Sequence, residues 1–171
     1  MDSNANFSTL AIMILKEIRM DRHIHQGVIA DRIGKTPSAW AKIENGQSSL
    51  TFDVMVGACS ALQVHPSVVL SLIDKLVPMF GPNRFYFQVG MLNHEEDDLL
   101  RLTQSYFNSK GYEVLRTRVF DRVSIESLST NNPFGFTSTP TIVRYCCEQE
   151  FKNWVDEGAL GEYPKEQSNW F

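Results

Sequence analysis

Apolar positions recur at helical spacing from Phe7 to Leu76, with only short polar breaks between them. Phe7, Leu10, Ile14 and Ile18 fall on one face of a first helix. A short second helix is predicted from about Gln26 to Ile33, with Ile29, Ala30 and Ile33 inward, and Gly34 ends it as a left-handed cap. Thr36-Pro37 restarts a helix, because threonine caps well and proline at the first helical position needs no donor. That third helix turns Trp40 and Ile43 inward and ends near Asn45-Gly46. Thr51 caps a fourth, with Phe52, Met55, Val56, Cys59 and Leu62 as its core face. His65-Pro66-Ser67 opens a fifth, which continues to about Leu76.

The pattern changes near Pro78. Val77 to Asn83 holds two prolines and a glycine, a reasonable boundary. Beyond it, Arg84 to Met91 is aromatic-rich and strand-like. Asn93 to Asn108 is predicted as a helix capped by Asn93, with Glu95 to Asp98 in its first turn and Leu99, Leu102, Tyr106 and Phe107 packed. Gly111 is expected to stop that helix. Tyr112 to Val119 alternates as a strand, Ser124 to Pro140 has loop composition, Thr141 to Cys146 suggests a strand and Glu148 to Leu160 a helix. The expected fold is an all-α five-helix unit over residues 7–77, a small α+β domain over 83–160 for dimerisation or sensing, and an irregular tail over 161–171.

Composition narrows the function. The 171 residues include 16 basic and 20 acidic side chains, for a net charge of -4, and 43 % are hydrophobic. That is ordinary for a folded domain and excludes a disordered or collagen-like chain. No apolar run approaches the roughly 18 residues of a membrane helix. The first residues lack the basic start of a signal peptide, so a cytoplasmic protein without a membrane partner is expected. Cys59, Cys146 and Cys147 are an odd count without a Cys-x-x-Cys pair, which suggests reduced thiols and no zinc site of that spacing. Neither a Gly-x-Ser-x-Gly, a Walker loop, a dinucleotide fingerprint nor a His-Glu-x-x-His occurs. Neither an enzyme nor a cofactor is therefore expected.

Two helices set at a steep angle by a glycine-containing turn let one enter a DNA major groove while the other braces it. Gln26, Ile29-Ala30, Ile33-Gly34, Trp40, Ile43-Glu44-x-Gly46, Leu62 and Val64 carry a resemblance at this point. Residues 15–73 resemble the phage repressor and Cro-type helix-turn-helix family, often called XRE. The resemblance implies a sequence-specific, double-stranded DNA-binding regulator, dimeric, with a recognition helix at about 37–44. Carried across by position, Gln26 bonds a phosphate and Thr36 and Pro37 start the recognition helix at the groove edge. Ser38, Ala39 and Lys42 point at bases or phosphates, and Asn45, Gln47 and Ser48 touch the backbone. Trp40 and Ile43 are core.

Some features depart from that pattern. Only Lys42 is a long donor among the outward positions, His25 stands where a Ser or Thr cap is usual, and Gly27 weakens the second helix. Residues 1–78 hold seven basic and seven acidic side chains, which predicts few phosphate contacts and a shallow salt slope. The alternative is an interaction module, antitoxin-like or partner-binding, that keeps the fold without strong DNA binding. A small-molecule or protein effector is expected at the C-terminal part. The loop Asn132-Pro133-Phe134-Gly135-Phe136 is a candidate contact or a self-packed segment. His23-x-His25 is expected to serve loop and cap rather than metal. Cys146-Cys147 is read with one thiol buried, and Glu95 to Asp98 as a solvated helix start.

Overall fold

The computed structural model describes residues 2–89, 92–118, 120–130 and 138–165. Five helices form about where the apolar spacing places them: α1 (Phe7–Asp21), α2 (Gln26–Arg32), α3 (Pro37–Glu44), α4 (Phe52–Leu62) and α5 (Pro66–Phe80), the last running past its expected end at Leu76 with Pro78 inside it. Both threonine caps form. Thr36 Oγ1 accepts from the Ala39 N–H at 3.1 Å, and Thr51 Oγ1 accepts from the Val54 N–H at 3.3 Å. Gly34, at φ +64°, makes the left-handed turn between α2 and α3.

α1 is buried nearly all round, from Thr9 to Leu15 and again from Glu17 to Arg19. A helix apolar on every side must be covered on every side. α3, α4 and α5 pack on it, and so do elements from the second half of the chain. One hydrophobic cluster accordingly runs from Leu10 and Trp40 through Leu76 to Tyr106, Ile142 and Val155.

The α+β expectation for residues 83–160 is corrected in its larger part. Among the described residues only β2 (Phe85–Gln88) is a strand there, and its partner is β1 (Ser3–Asn6), in parallel, with Ser3 opposite Phe85 and Asn6 opposite Gln88. The other elements described there are helical: α6 (Asp98–Asn108), α7 (Lys110–Thr117), α8 (Thr141–Cys147) and α9 (Gln149–Asp156), with a 3-10 turn at Ile125–Ser129. In α7 the buried residues are Gly111, Tyr112 and Leu115, a helical spacing that the Tyr/Val/Arg alternation disguises. Ser109 starts this helix by accepting from the Tyr112 N–H at 3.1 Å. Gly111 stops nothing; it lies inside α7 against the backbone of α9. In α8 the β-branched run Thr141-Ile142-Val143 is helical because all of 141–145 is buried, so packing overrides propensity.

α6 starts five residues later than the sequence suggests. Asp97, not Asn93, is its cap: Oδ1 accepts from the Leu100 N–H at 2.9 Å. Its other oxygen accepts from Thr9 Oγ1 at 2.5 Å and from the Asn6 N–H at 3.1 Å, while Asp98 takes the Asn4 N–H at 3.0 Å. The acidic run is therefore only partly a solvated helix start; two of its carboxylates latch β1 and the head of α1. Phe52 is also corrected, since it is largely exposed rather than core, and Phe7, 41 % exposed, sits at the edge with its ring against Phe87. The tail does not hang free at its start, because buried Arg144 donates to the carbonyls of Pro164 and Lys165. The aromatic loop 132–136 lies outside the described residues.

A buried carboxyl group gives this core a pH signature. Glu17 is 1 % exposed; Oε2 accepts from the Ile125 N–H at 2.6 Å and Oε1 has no partner among the described residues. Burial pushes its pKa up to about 8, against the attraction of Arg122. Between pH 4.5 and 8 the folded chain holds a proton that the unfolded chain releases, so this group's contribution to stability falls as pH rises. The loss should be on the order of a few kcal/mol. Glu17→Gln stays neutral, so its stability advantage over the parent should grow from pH 5 to pH 8 in urea titrations. A constant difference across that range would contradict the assignment.

Candidate nucleic-acid interface

α3 has two sharply different sides. Trp40, Ile43 and Glu44 are buried, whereas Pro37, Ser38 and Lys42 are exposed and Ala39 and Ala41 are half-buried. The buried side is fixed by a charge. Arg19 of α1 donates from Nε to Glu44 Oε1 at 2.6 Å and from Nη2 to Oε2 at 3.0 Å. Its third nitrogen, Nη1, reaches the Ile24 carbonyl at 3.0 Å. Gln26 Nε2 adds a bond to Glu44 Oε2 at 2.6 Å. One carboxylate thus ties α1, the first turn of α2 and the end of α3, and the α1–α2 turn joins through Arg19. A bidentate, hydrogen-bonded guanidinium–carboxylate pair fixes orientation as well as distance.

The predicted contact residues fall into three groups. Thr36, Pro37, Ser38 and Lys42 lie together on the exposed start and outer side of α3, with Ala39 half-buried behind them. Gln47 and Ser48 are exposed just beyond it, and both of their N–H groups donate to the Lys42 carbonyl. Gln26 and Asn45 are half-buried and already engaged. Gln26 keeps one of its two amide hydrogens for another acceptor, since the first goes to Glu44. The Asn45 carbonyl accepts from Gln104 Nε2 of α6 at 2.5 Å, so the loop after α3 rests on the second half of the chain. Trp40 is core, as expected, at 1 % exposure. His25 sits at the cap of α2 without a side-chain capping bond, and His23 Nδ1 lies 3.4 Å from Arg116.

The even charge count of the first part resolves differently in three dimensions. Glu44 and Glu17 are buried, and Asp21 is bound by both terminal nitrogens of Arg122 at 2.7 and 2.6 Å. Arg19 is consumed by Glu44, and Arg22 pairs with Glu126 at 2.7 Å. Arg32, Lys35 and Lys42 are exposed and form no ion pair among the described residues. Across α2, α3 and α4, only Asp31 and Asp53 are exposed acids.

Residues 15–69 match the helix-turn-helix family model. The match runs from the last turns of α1 to the start of α5 and supports DNA binding by this part of the chain. No curated protein and no solved structure matches the chain. Within the helix-turn-helix, nothing in the local pattern joins Arg19 to Glu44. Glu44 lies four residues after Trp40, on the inward side of α3, and an inward carboxylate demands a partner. That demand was legible; which cation answers it was not. The two cysteines of α8 offer little chemistry, since burial pushes Cys147 up to about 12 and raises Cys146 well above the ordinary thiol value, leaving almost no thiolate near neutral pH. No single helix among the described residues is long and apolar enough to cross a membrane.

Proposed function

We propose that this protein is a sequence-specific, double-stranded DNA-binding transcriptional regulator that reads the major groove with α3 and acts as a homodimer. The exposed face of α3 carries this reading: Pro37, Ser38 and Lys42 point outward from a helix whose inner side is locked by Arg19 and Glu44. Lys42 with Arg32 and Lys35 supplies the phosphate charge, and Ser38 supplies a hydroxyl able to bond base edges. Residues 7–77 form the DNA-binding unit in this proposal. Residues 83–160 serve dimerisation or signal input, and 161–171 is a tail. The chemistry is recognition rather than catalysis.

Three cations in each of two protomers give a salt slope, d log K/d log[salt], of about -5. Lys42→Ala should weaken binding to every duplex and make that slope shallower by about 1 per protomer. Ser38→Ala should change preference at about one base pair per half-site, by about 1 kcal/mol, with little change in background affinity. Fluorescence anisotropy on a selected duplex and its single-base variants measures both. Parental behaviour of both variants would remove α3 from the groove.

The short side chains of Ser38, Ala39 and Ala41 favour a second reading, in which the same face docks a protein partner. That reading predicts no duplex affinity above background and a stable complex with one protein. Dimerisation is best tested on the full chain by sedimentation. A fragment ending near Val77 would lose β2 and α6 and expose the faces of β1 and α1 that these elements cover.

A further inference from the structure

A cavity of about 340 Å³ lies where the end of α1 meets α7 and the segment after it, away from the exposed face of α3. That volume is at the small end of the range for small-molecule sites. Met20 gives it apolar wall, with Leu115 fully buried behind it, and Asp21, His23, Arg116, Arg122 and Ser124 give it polar wall. The two arginines differ. Arg122 is closed on Asp21, with bonds of 2.7 and 2.6 Å. Arg116 is loosely held: Glu113, the Met20 carbonyl and His23 Nδ1 all stand at 3.4 Å, and the Tyr112 ring lies 5.8 Å away. A guanidinium has five donors, and its strong bonds to carboxylates run near 2.7–2.9 Å. Arg116 is therefore a cation with donors to spare at a cavity wall. His23, beside it, is a non-glycine residue at φ +53°, a conformation that clusters at functional sites.

Charge fixes the class of ligand. Asp21 cancels Arg122; Glu113 pairs with Arg116 at 3.4 Å but is largely exposed and lies outside the lining, so the wall itself keeps one positive charge, that of Arg116, beside His23. A dianion would face the Asp21 carboxylate, whereas a monoanion is matched. We propose that this cavity binds a small monocarboxylate with an apolar body, the carboxylate taken by Arg116 and His23 and the body resting on Met20. Met20, Asp21 and His23 belong to the end of α1 and the turn into α2. A bound carboxylate would thus pull on the turn that orients the helix-turn-helix; this coupling rests on the DNA-binding reading, whereas the site does not.

The test uses the full chain without DNA, so its result is independent of that reading. Benzoate, phenylacetate and hexanoate are titrated in turn while backbone amides are followed by NMR. At least one should bind at about millimolar strength, shifting the amides of His23, Leu115 and Arg116. Arg116→Gln should weaken that binding at least about tenfold, and Arg116→Lys, which keeps the charge, should retain part of it. Absence of shifts at these amides with all three probes at about 20 mM, a concentration that saturates a millimolar site, would overturn the proposal. So would equal binding by the parent and Arg116→Gln.

Discussion

Glu44→Ala should lower the unfolding free energy by about 3–5 kcal/mol, because it leaves the Arg19 guanidinium buried with only the Ile24 carbonyl for company. For a chain of this size that corresponds to a fall in melting temperature of about 10 °C. The penalty comes mainly from the stranded charge. Arg19→Met combined with Glu44→Leu removes both charges and should recover most of the stability, since apolar replacement of a buried pair is often neutral. DNA binding should follow a different order. Both changes remove the carboxylate that ties Gln26 and the end of α3 to α1, so the double variant should remain weaker than the parent on a selected duplex even when folded. Denaturant titration and anisotropy on the same samples separate the two effects. A stability loss below about 1 kcal/mol for Glu44→Ala would mean that the pair is effectively solvated.

Gly111→Ala should be the second severe change, and its sign is the informative part. Glycine inside a helix is normally worse than alanine by about 1 kcal/mol, so the exchange should stabilise an exposed helix. Here a Cβ would stand 2.1 Å from the Val155 carbonyl oxygen and 2.8 Å from the Val155 carbonyl carbon. Those atoms are backbone of α9 and cannot rotate away. The helices must separate, which opens the contacts around Tyr112, Phe151 and Val155. Overpacking usually costs about 1–3 kcal/mol, and a rigid neighbour puts this case at about 3 kcal/mol net of the propensity gain. Chemical denaturation measures it. A variant more stable than the parent would show that α7 and α9 do not meet at Gly111.

The first five helices were legible because several local signals agree in them. Thr36-Pro37 and Thr51 announce starts, Gly34 announces a turn, and the apolar spacing between them has one period. The second half offers conflicting signals. Thr141-Ile142-Val143 has strand propensity, and Tyr112 to Val119 alternates, yet both segments are buried on helical faces. Asn93 and Asp97 are both good caps, and only Asp97 has partners across the fold, in Thr9 and Asn6. β1 had no signal at all: Ser-Asn-Ala-Asn is polar, and it is extended because β2 and two carboxylates of the α6 start hold it. The candidate interface follows the same division. The outward residues of α3 could be read from helical phase alone. The Arg19–Glu44 tie joins residues 25 apart, and the contact of Asn45 with Gln104 joins residues 59 apart, so neither is written in local pattern.

Whether α3 reads duplex DNA is decided by selection from a pool of random duplexes with the purified full chain. The enriched pool is sequenced after selection at two salt concentrations. An enriched site is expected, with twofold symmetry and half-sites about one helical turn, about 34 Å, apart. The same site should be recovered at both salts, with enrichment falling steeply at the higher one, because six phosphate contacts per dimer cost about a thousandfold in affinity for a fourfold rise in salt. Recovery of only salt-sensitive background, with no enriched sequence, would contradict groove reading by α3.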